Sequence, residues 1–137
     1  MHLQYAALCF RVHRKKPQIL LITSRGTGRW VVPKGWPMDG KSPGRTAEQE
    51  AWEEAGVKGE MQKTCMGTFT YDKWIDENSS LPCIVELYPL EVSNLSEDFP
   101  EKEERRRKWF SPKKAASLVC EPELAALIES FDPSKLT

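Results

Sequence analysis

Ala47, Ala51 and Ala55 recur every four residues between a Ser42-Pro43 pair and Gly56. Serine at the N-cap and proline at the first helical position start a helix, and glycine just past the end stops one. The spacing therefore predicts a helix running to Ala55. Its alanine stripe is thin enough to let the helix sit close to a sheet. Glu50, Glu53 and Glu54 stand at i, i+3 and i+4 and span an arc of roughly 100° beside that stripe. The acidic face is thus expected at the margin of the helix–sheet contact, looking into whatever cleft the loops enclose. Like charges at this spacing weaken a helix by about 0.2–0.5 kcal/mol per pair. A hard divalent cation, Mg²⁺ or Mn²⁺, would remove that penalty, since such ions take a few carboxylates together with water and substrate phosphates. The other reading is a solvated acidic face, and for a bare ExxEE it is the better one. The surrounding chain has to decide.

Around the helix the sequence reads as strands. Gln4 to Val12 is apolar-rich, a turn follows at Lys15 to Gln18, and Ile19 to Thr23 is apolar almost without a break, which predicts burial on both faces. Trp30 to Val32 is a short strand stopped by Pro33, and Lys34 to Lys41 (KGWPMDGK) is a shaped loop. Thr68 to Tyr71 and Cys83 to Val92 are strand-like, with Pro89 expected at a bulge or an edge. Asp72 to Leu81 and Ser93 to Glu104 read as polar loops. Trp109-Phe110 is a short strand, and Ser111-Pro112 caps a helix to about Leu118. A last helix over Glu123 to Phe131 carries an apolar face at Leu124, Leu127, Ile128 and Phe131. Residues 132–137 read as a loose tail. This order predicts one domain over 1–137 of mixed α/β (α+β) type.

Net charge is zero, with 20 basic and 20 acidic residues. That supplies no global attraction for nucleic acid or membranes, so a polynucleotide partner is disfavoured. No apolar run is long enough to span a bilayer, and the first residues lack a cleavable leader pattern. Cys9, Cys65, Cys83 and Cys120 are scattered without a CxxC, as expected of reduced thiols in a cytoplasmic protein. His2 and His13 are too far apart for a zinc site, and neither adjoins a nucleophile. Arg25 and Arg29 lie on a loop with Gly26 and Gly28. Guanidinium forks on such a loop suit phosphate oxygens, although an ordinary polar turn is an equal reading.

The stretch Gly35-x5-Lys41-x7-Gln49-Glu50-Ala51-Trp52-Glu53-Glu54-Ala55-Gly56-Val57 resembles the Nudix box, G-x5-E-x7-R-E-U-x-E-E-x-G-U with U apolar. Lys41 and Gln49 depart from the pattern, standing where the family has glutamate and arginine. The flanking PKGW and RRRKWFSPKKA are similar to the diphosphoinositol and diadenosine polyphosphate phosphohydrolase branch. The resemblance extends over nearly the whole chain and implies an α/β/α sandwich with a mixed sheet. It also implies hydrolysis of a pyrophosphate bond in a nucleoside-diphosphate-linked or highly phosphorylated small molecule.

Glu50, Glu53 and Glu54 are then the expected metal ligands for Mg²⁺ or Mn²⁺, with Glu53 first choice as base. The carbonyl of Gly35 would complete the sphere, and Glu101 or Glu104 would add a further oxygen. Arg25, Arg29 and Lys34 are the expected phosphate contacts. Arg105, Arg106 and Arg107 read mainly as a solvated run balancing Glu101, Glu103 and Glu104. Trp36 or Trp74 could stack on a base, although tryptophan more often fills a core or an edge. Lys41 and Gln49 keep open a binding module that senses such a ligand without turning it over. A homodimer is equally open.

Overall fold

Strict alternation in two strands builds the molecule. The computed structural model describes residues 1–136, with β1 at His2–His13 and β2 at Lys16–Thr23. Ala6, Leu8 and Phe10 of β1, with Ile19 and Leu21 of β2, face one core, while Ala7, Cys9, Leu20 and Ile22 face another. Side chains point to opposite faces with period two, so one pair of strands feeds two hydrophobic layers. The expected burial of Ile19–Thr23 on both faces follows from this. Arg14 and Lys15, at φ +52° and +67°, make the connecting turn. Positive φ at both central residues matches the right-handed twist of a hairpin. The turn is therefore tighter than predicted, and Pro17 already pairs with Val12.

The helix predicted from its caps is α1, Pro43–Ala55. Ser42 Oγ accepts from the Arg45 N–H, and Gly56 at φ +67° bonds back to the carbonyls of Ala51 and Trp52. Its alanines pack in the second core. On the opposite face lie α2 (Pro112–Leu118) and α3 (Pro122–Glu129), whose Ala115, Ala116, Leu124 and Ile128 complete the first. The result is the expected α/β/α arrangement around a mixed sheet.

That sheet also contains β3 (Trp30–Val31), β4 (Lys34–Gly35), β5 (Val57–Met61), β6 (Gly67–Asp76), β7 (Ser79–Leu95) and β8 (Arg107–Phe110). Its order is β3-β2-β1-β7-β5, with β4 on β1, β6 on β7 and β8 on β2. Only the β1–β7 pair is parallel among these registered pairs. Two strands share the outer edge of β1, β4 at Tyr5 and Ala6 and β2 from Phe10 to His13. Between these two branches the sheet opens.

Several expectations change: Lys34-Gly35, read as loop, form β4, and β7 runs on to Leu95. Asp72–Leu81 is no loop: β6 and β7 continue as a hairpin arm through Trp74 opposite Ser80. The arm is largely exposed, so no buried face marks its sequence as strand. Pro89 sits inside central β7, opposite Leu8, where the partner changes from β6 at Leu87 to β5 at Leu90. Its carbonyl accepts from Gln62 N–H on that same side, so the missing proline donor points into the changeover and costs no ladder bond. Residues 132–136 are not a loose tail. Pro133–Lys135 form a 3₁₀ turn capped by Asp132, and Leu136 packs against the first core; Thr137 lies outside the described residues.

Candidate active site

Both branches of the opened sheet edge, Ser24 after β2 and Lys34-Gly35 in β4, wall a cleft of about 520 Å³. Glu50 and Glu54 enter it from α1, Arg25 and Arg29 from the loop after β2, and Tyr71 to Trp74 from β6. A larger groove of about 840 Å³ lies by the C-terminal residues and contains none of the expected site residues.

Gly35 explains itself in this setting. A Cβ there would collide with the Glu50 carboxyl, so only glycine lets that carboxyl lie against the β4 backbone. Glu54, one turn along α1 from Glu50, is 8% exposed. Burial pushes the Glu54 carboxyl up to about 8, helped by Glu50 and Glu101 and opposed by Arg105 and Lys34. Glu50 is also raised, chiefly by burial, with Glu53 and Glu101 adding and neighbouring Glu54 and Arg105 opposing. Glu54 is buried and Glu50 half-buried beside it, and both are pushed toward the neutral form, a penalty that a cation between them would remove. The donor set therefore fits a hard divalent ion. Among the described residues, no three His, Cys, Asp or Glu side chains already stand in a ligating cluster.

Glu53 is placed differently. It does not line the cleft, and its Oε2 accepts from Gln49 Nε2 at 2.7 Å. Gln49 thus takes up the carboxylate from the position where the family carries arginine, through a neutral donor. Lys41 is exposed and away from the cleft wall.

The cationic side divides as well. Lys34 Nζ lies 4.9 Å over the Tyr71 ring, and burial pushes its ammonium down against the pull of Glu54. Arg29 reaches the cleft, whereas Arg25 is engaged by Glu104 at 3.3 Å and Glu101 at 3.9 Å. The arginine run separates residue by residue. Arg105 bridges Glu101 at 2.8 Å, Glu54 at 3.7 Å and the Thr23 carbonyl at 3.1 Å. Arg107 donates to the Ala55 carbonyl at the end of α1, and the Arg106 side chain is exposed. Glu101 lines the cleft and Glu104 does not.

Sequence reasoning missed Gln4, Tyr71, Asp72 and Lys73. Tyr71 OH donates to the buried Gln4 Oε1 at 2.5 Å, joining strands 67 residues apart. No local signal carries such a contact. Trp36 and Trp74, weighed above as core or stacking residues, both open onto the cleft.

Comparison with known proteins adds the following. The NUDIX domain profile matches residues 2–131. Diphosphoinositol polyphosphate phosphohydrolase 3-beta of Homo sapiens is 34% identical over 116 residues, covering 83% of this chain and 66% of that protein. Diphosphoinositol polyphosphate phosphohydrolase 2 of Rattus norvegicus is 32% identical over 116 residues, covering 83% and 60%. The chain thus spans 60% to 66% of the length of these curated relatives. Among solved structures, a C. elegans Ap4A hydrolase superposes with a TM-score of 0.65 at 18% identity, covering 94% of each chain. The E. coli dihydroneopterin triphosphate pyrophosphohydrolase gives 0.70 at 16%, covering 94% and 93%. At these identities the two structures speak for the fold alone.

Proposed function

Because this chain belongs to the NUDIX family, we propose that it is a pyrophosphohydrolase that uses Mg²⁺ or Mn²⁺ to cut a phosphoric anhydride in a small, highly phosphorylated substrate. The observation that carries the reading is the Glu50 carboxyl lying on Gly35 beside the buried Glu54, in a cleft that also holds Arg25, Arg29 and Lys34. The printed names of the relatives, acting on diphosphoinositol polyphosphates, support phosphorylated small molecules as substrates. Four free thiols suit a reducing compartment such as the cytoplasm. No helix among the described residues is long and apolar enough to cross a membrane.

Glu50 and Glu54 would hold the metal from the cleft wall, with the Gly35 carbonyl beside them, and Glu53 would join them on turning in from Gln49. The ion would supply Lewis acidity and charge neutralisation at the phosphates. The chain's own residues do the rest. Lys34 and Arg29 orient the phosphate oxygens, and Arg25 joins them by exchanging Glu104 for substrate. Arg105 holds Glu54 and Glu101 in place. A glutamate accepts the proton of the attacking water as its oxygen bonds to phosphorus and the anhydride P–O bond breaks. Glu53 is the candidate base, steadied by Gln49.

A second reading, a sensor that binds without turnover, is favoured by one observation. Glu53 stands off the cleft wall, held by a neutral amide rather than a guanidinium.

Incubation with Mg²⁺ or Mn²⁺ and a panel of diadenosine polyphosphates, nucleoside triphosphates, sugar nucleotides and diphosphoinositols separates the two. The expected result is metal-dependent release of a phosphorylated product, abolished by Glu53→Gln and by Glu54→Gln. Binding without turnover of any panel member would favour the sensor. Equal rates in wild type and both variants would remove the site assignment.

A further inference from the structure

We propose that two copies of this chain pair along the free edge of β5, strand against strand, in a reversible two-fold dimer. β5 ends the sheet, bonded to β7 on one side and to no strand on the other among the described residues. Such an edge leaves backbone N–H and C=O groups unpaired, a template for another strand. The edge of β6 shows how this chain closes one off. There Glu123 accepts from the Thr70 N–H at 2.8 Å and from its hydroxyl at 2.9 Å, so a side chain caps the strand. β5 carries no such cap on its N–H groups among the described residues. The side-chain bond to its backbone, Ser93 Oγ to the Lys58 carbonyl at 3.1 Å, comes from β7 itself.

Charge selects the occupant. Lys58 and Glu60 are exposed and flank Gly59 symmetrically in the strand. Antiparallel pairing about a two-fold axis at Gly59 sets Lys58 of each copy opposite Glu60 of the other. Opposite charges facing across strands stabilise a pair. Moving the axis by one residue, to Lys58 or to Glu60, puts like charges face to face, so one register is favoured. Within the single chain Glu60 already faces Glu91 directly across the β5–β7 ladder, and like charges so placed repel. Neither carboxylate enters an ion pair among the described residues. Lys58 of the second copy would stand on the other flank of Glu60 and offset that repulsion. Lys58 Nζ rests 5.1 Å from the Trp52 ring, which reduces the side-chain freedom that pairing must remove. An unrelated extended peptide would have no need of a lysine and a glutamate placed evenly about one glycine; a second copy does. With zero net charge, two copies meet without overall repulsion. A five-residue edge is a small contact, so the association is transient and concentration-dependent. β5 contributes nothing to the lining of the cleft, so pairing leaves that site open.

Sedimentation equilibrium of the full chain over a wide concentration range tests this. A monomer–dimer equilibrium is expected, and salt should weaken it. Lys58→Glu and Glu60→Lys each set like charges opposite one another twice, and each should weaken dimerisation by about 5-fold or more. Lys58→Glu/Glu60→Lys only exchanges the signs and should restore dimerisation to within about threefold of the wild type. Amide exchange within Val57–Met61 should slow as wild-type concentration rises, and should not do so in the single variants. A chain that stays monomeric at every concentration would overturn the proposal. So would a dimer indifferent to both single reversals, a double variant as weak as the singles, or a dimer whose β5 amides gain no protection.

Discussion

The contact between Gly35 and Glu50 involves two residues 15 positions apart and leaves no room for a methyl group. Gly35→Ala must push the Glu50 carboxyl away from the β4 backbone and from Glu54. Loss of a contact that orients a metal ligand typically costs about 10–100-fold in metal affinity or activity, and Glu50 is a proposed ligand. We expect about that loss in kcat/KM, with the thermal unfolding midpoint nearly unchanged. Gln49 presents the complementary case. Its amide orients Glu53 at 2.7 Å, so Gln49→Ala should lower kcat by about 10-fold or more. Gln49→Arg, which restores a charged donor, should hold the rate or raise it. A lower rate in the arginine variant than in the alanine variant would show that the amide does not position Glu53.

At the scale of elements, α1 is fastened both to the loop after β7 and to the start of β8. Glu101 N–H donates to the Glu53 carbonyl at 3.0 Å, and Arg107 Nη1 donates to the Ala55 carbonyl at 2.7 Å. The Arg107 guanidinium lies 4.9 Å over the Phe99 ring. A cation at a helix C-terminus satisfies an orphan carbonyl and complements the helix dipole. Arg107→Met should therefore lower stability by about 1.5–3 kcal/mol, seen as a shift of the urea midpoint with an unchanged slope. This contact was illegible in the sequence. Arg107 sits in a basic run whose residues look alike, and only the fold sends one to a helix end and its neighbour Arg105 to the cleft.

What is local was read correctly. Ser42, Pro43, the alanine stripe and Gly56 define α1 from within about 15 residues, and the structure follows them residue for residue. The exposed β6–β7 arm was missed for the opposite reason: alternation marks a strand only when one face is buried. The shared arc of Glu50, Glu53 and Glu54 was correct as helix geometry, but the sheet edge decides which of them reaches the cleft. That edge is made by β4, a two-residue strand with no pattern of its own.

For the molecule as a whole, the buried carboxyls couple stability to pH. Glu54 titrates near 8 in the folded chain, against an ordinary 4.5. Between those values the folded state binds the extra proton and the unfolded state does not. Stability of the metal-free protein therefore falls as pH rises from about 5 to 8, by at most ~1.4 kcal/mol per pH unit, and levels off above the folded value. Thermal melts after chelation should show this decline. Glu54→Gln should flatten it, and so should saturating Mg²⁺ or Mn²⁺, since a bound cation holds the carboxylates ionised. A metal-free melt whose midpoint rises over that range would contradict the assigned protonation.

The parallel pairing of β1 with β7 sets His2 opposite Cys83 and Phe10 opposite Glu91. During synthesis the β1–β2 hairpin can close early, but the inner edge of β1 has to wait until some eighty further residues have left the ribosome. At about 5–20 residues per second, that leaves an apolar strand unpaired for several seconds. Long-range closure of this kind slows folding, and an open edge in the interval is a template for pairing with another chain. The nascent protein is therefore most exposed to misassembly, and most dependent on chaperones, before β7 emerges. A truncation ending short of Cys83 would remain in that condition permanently.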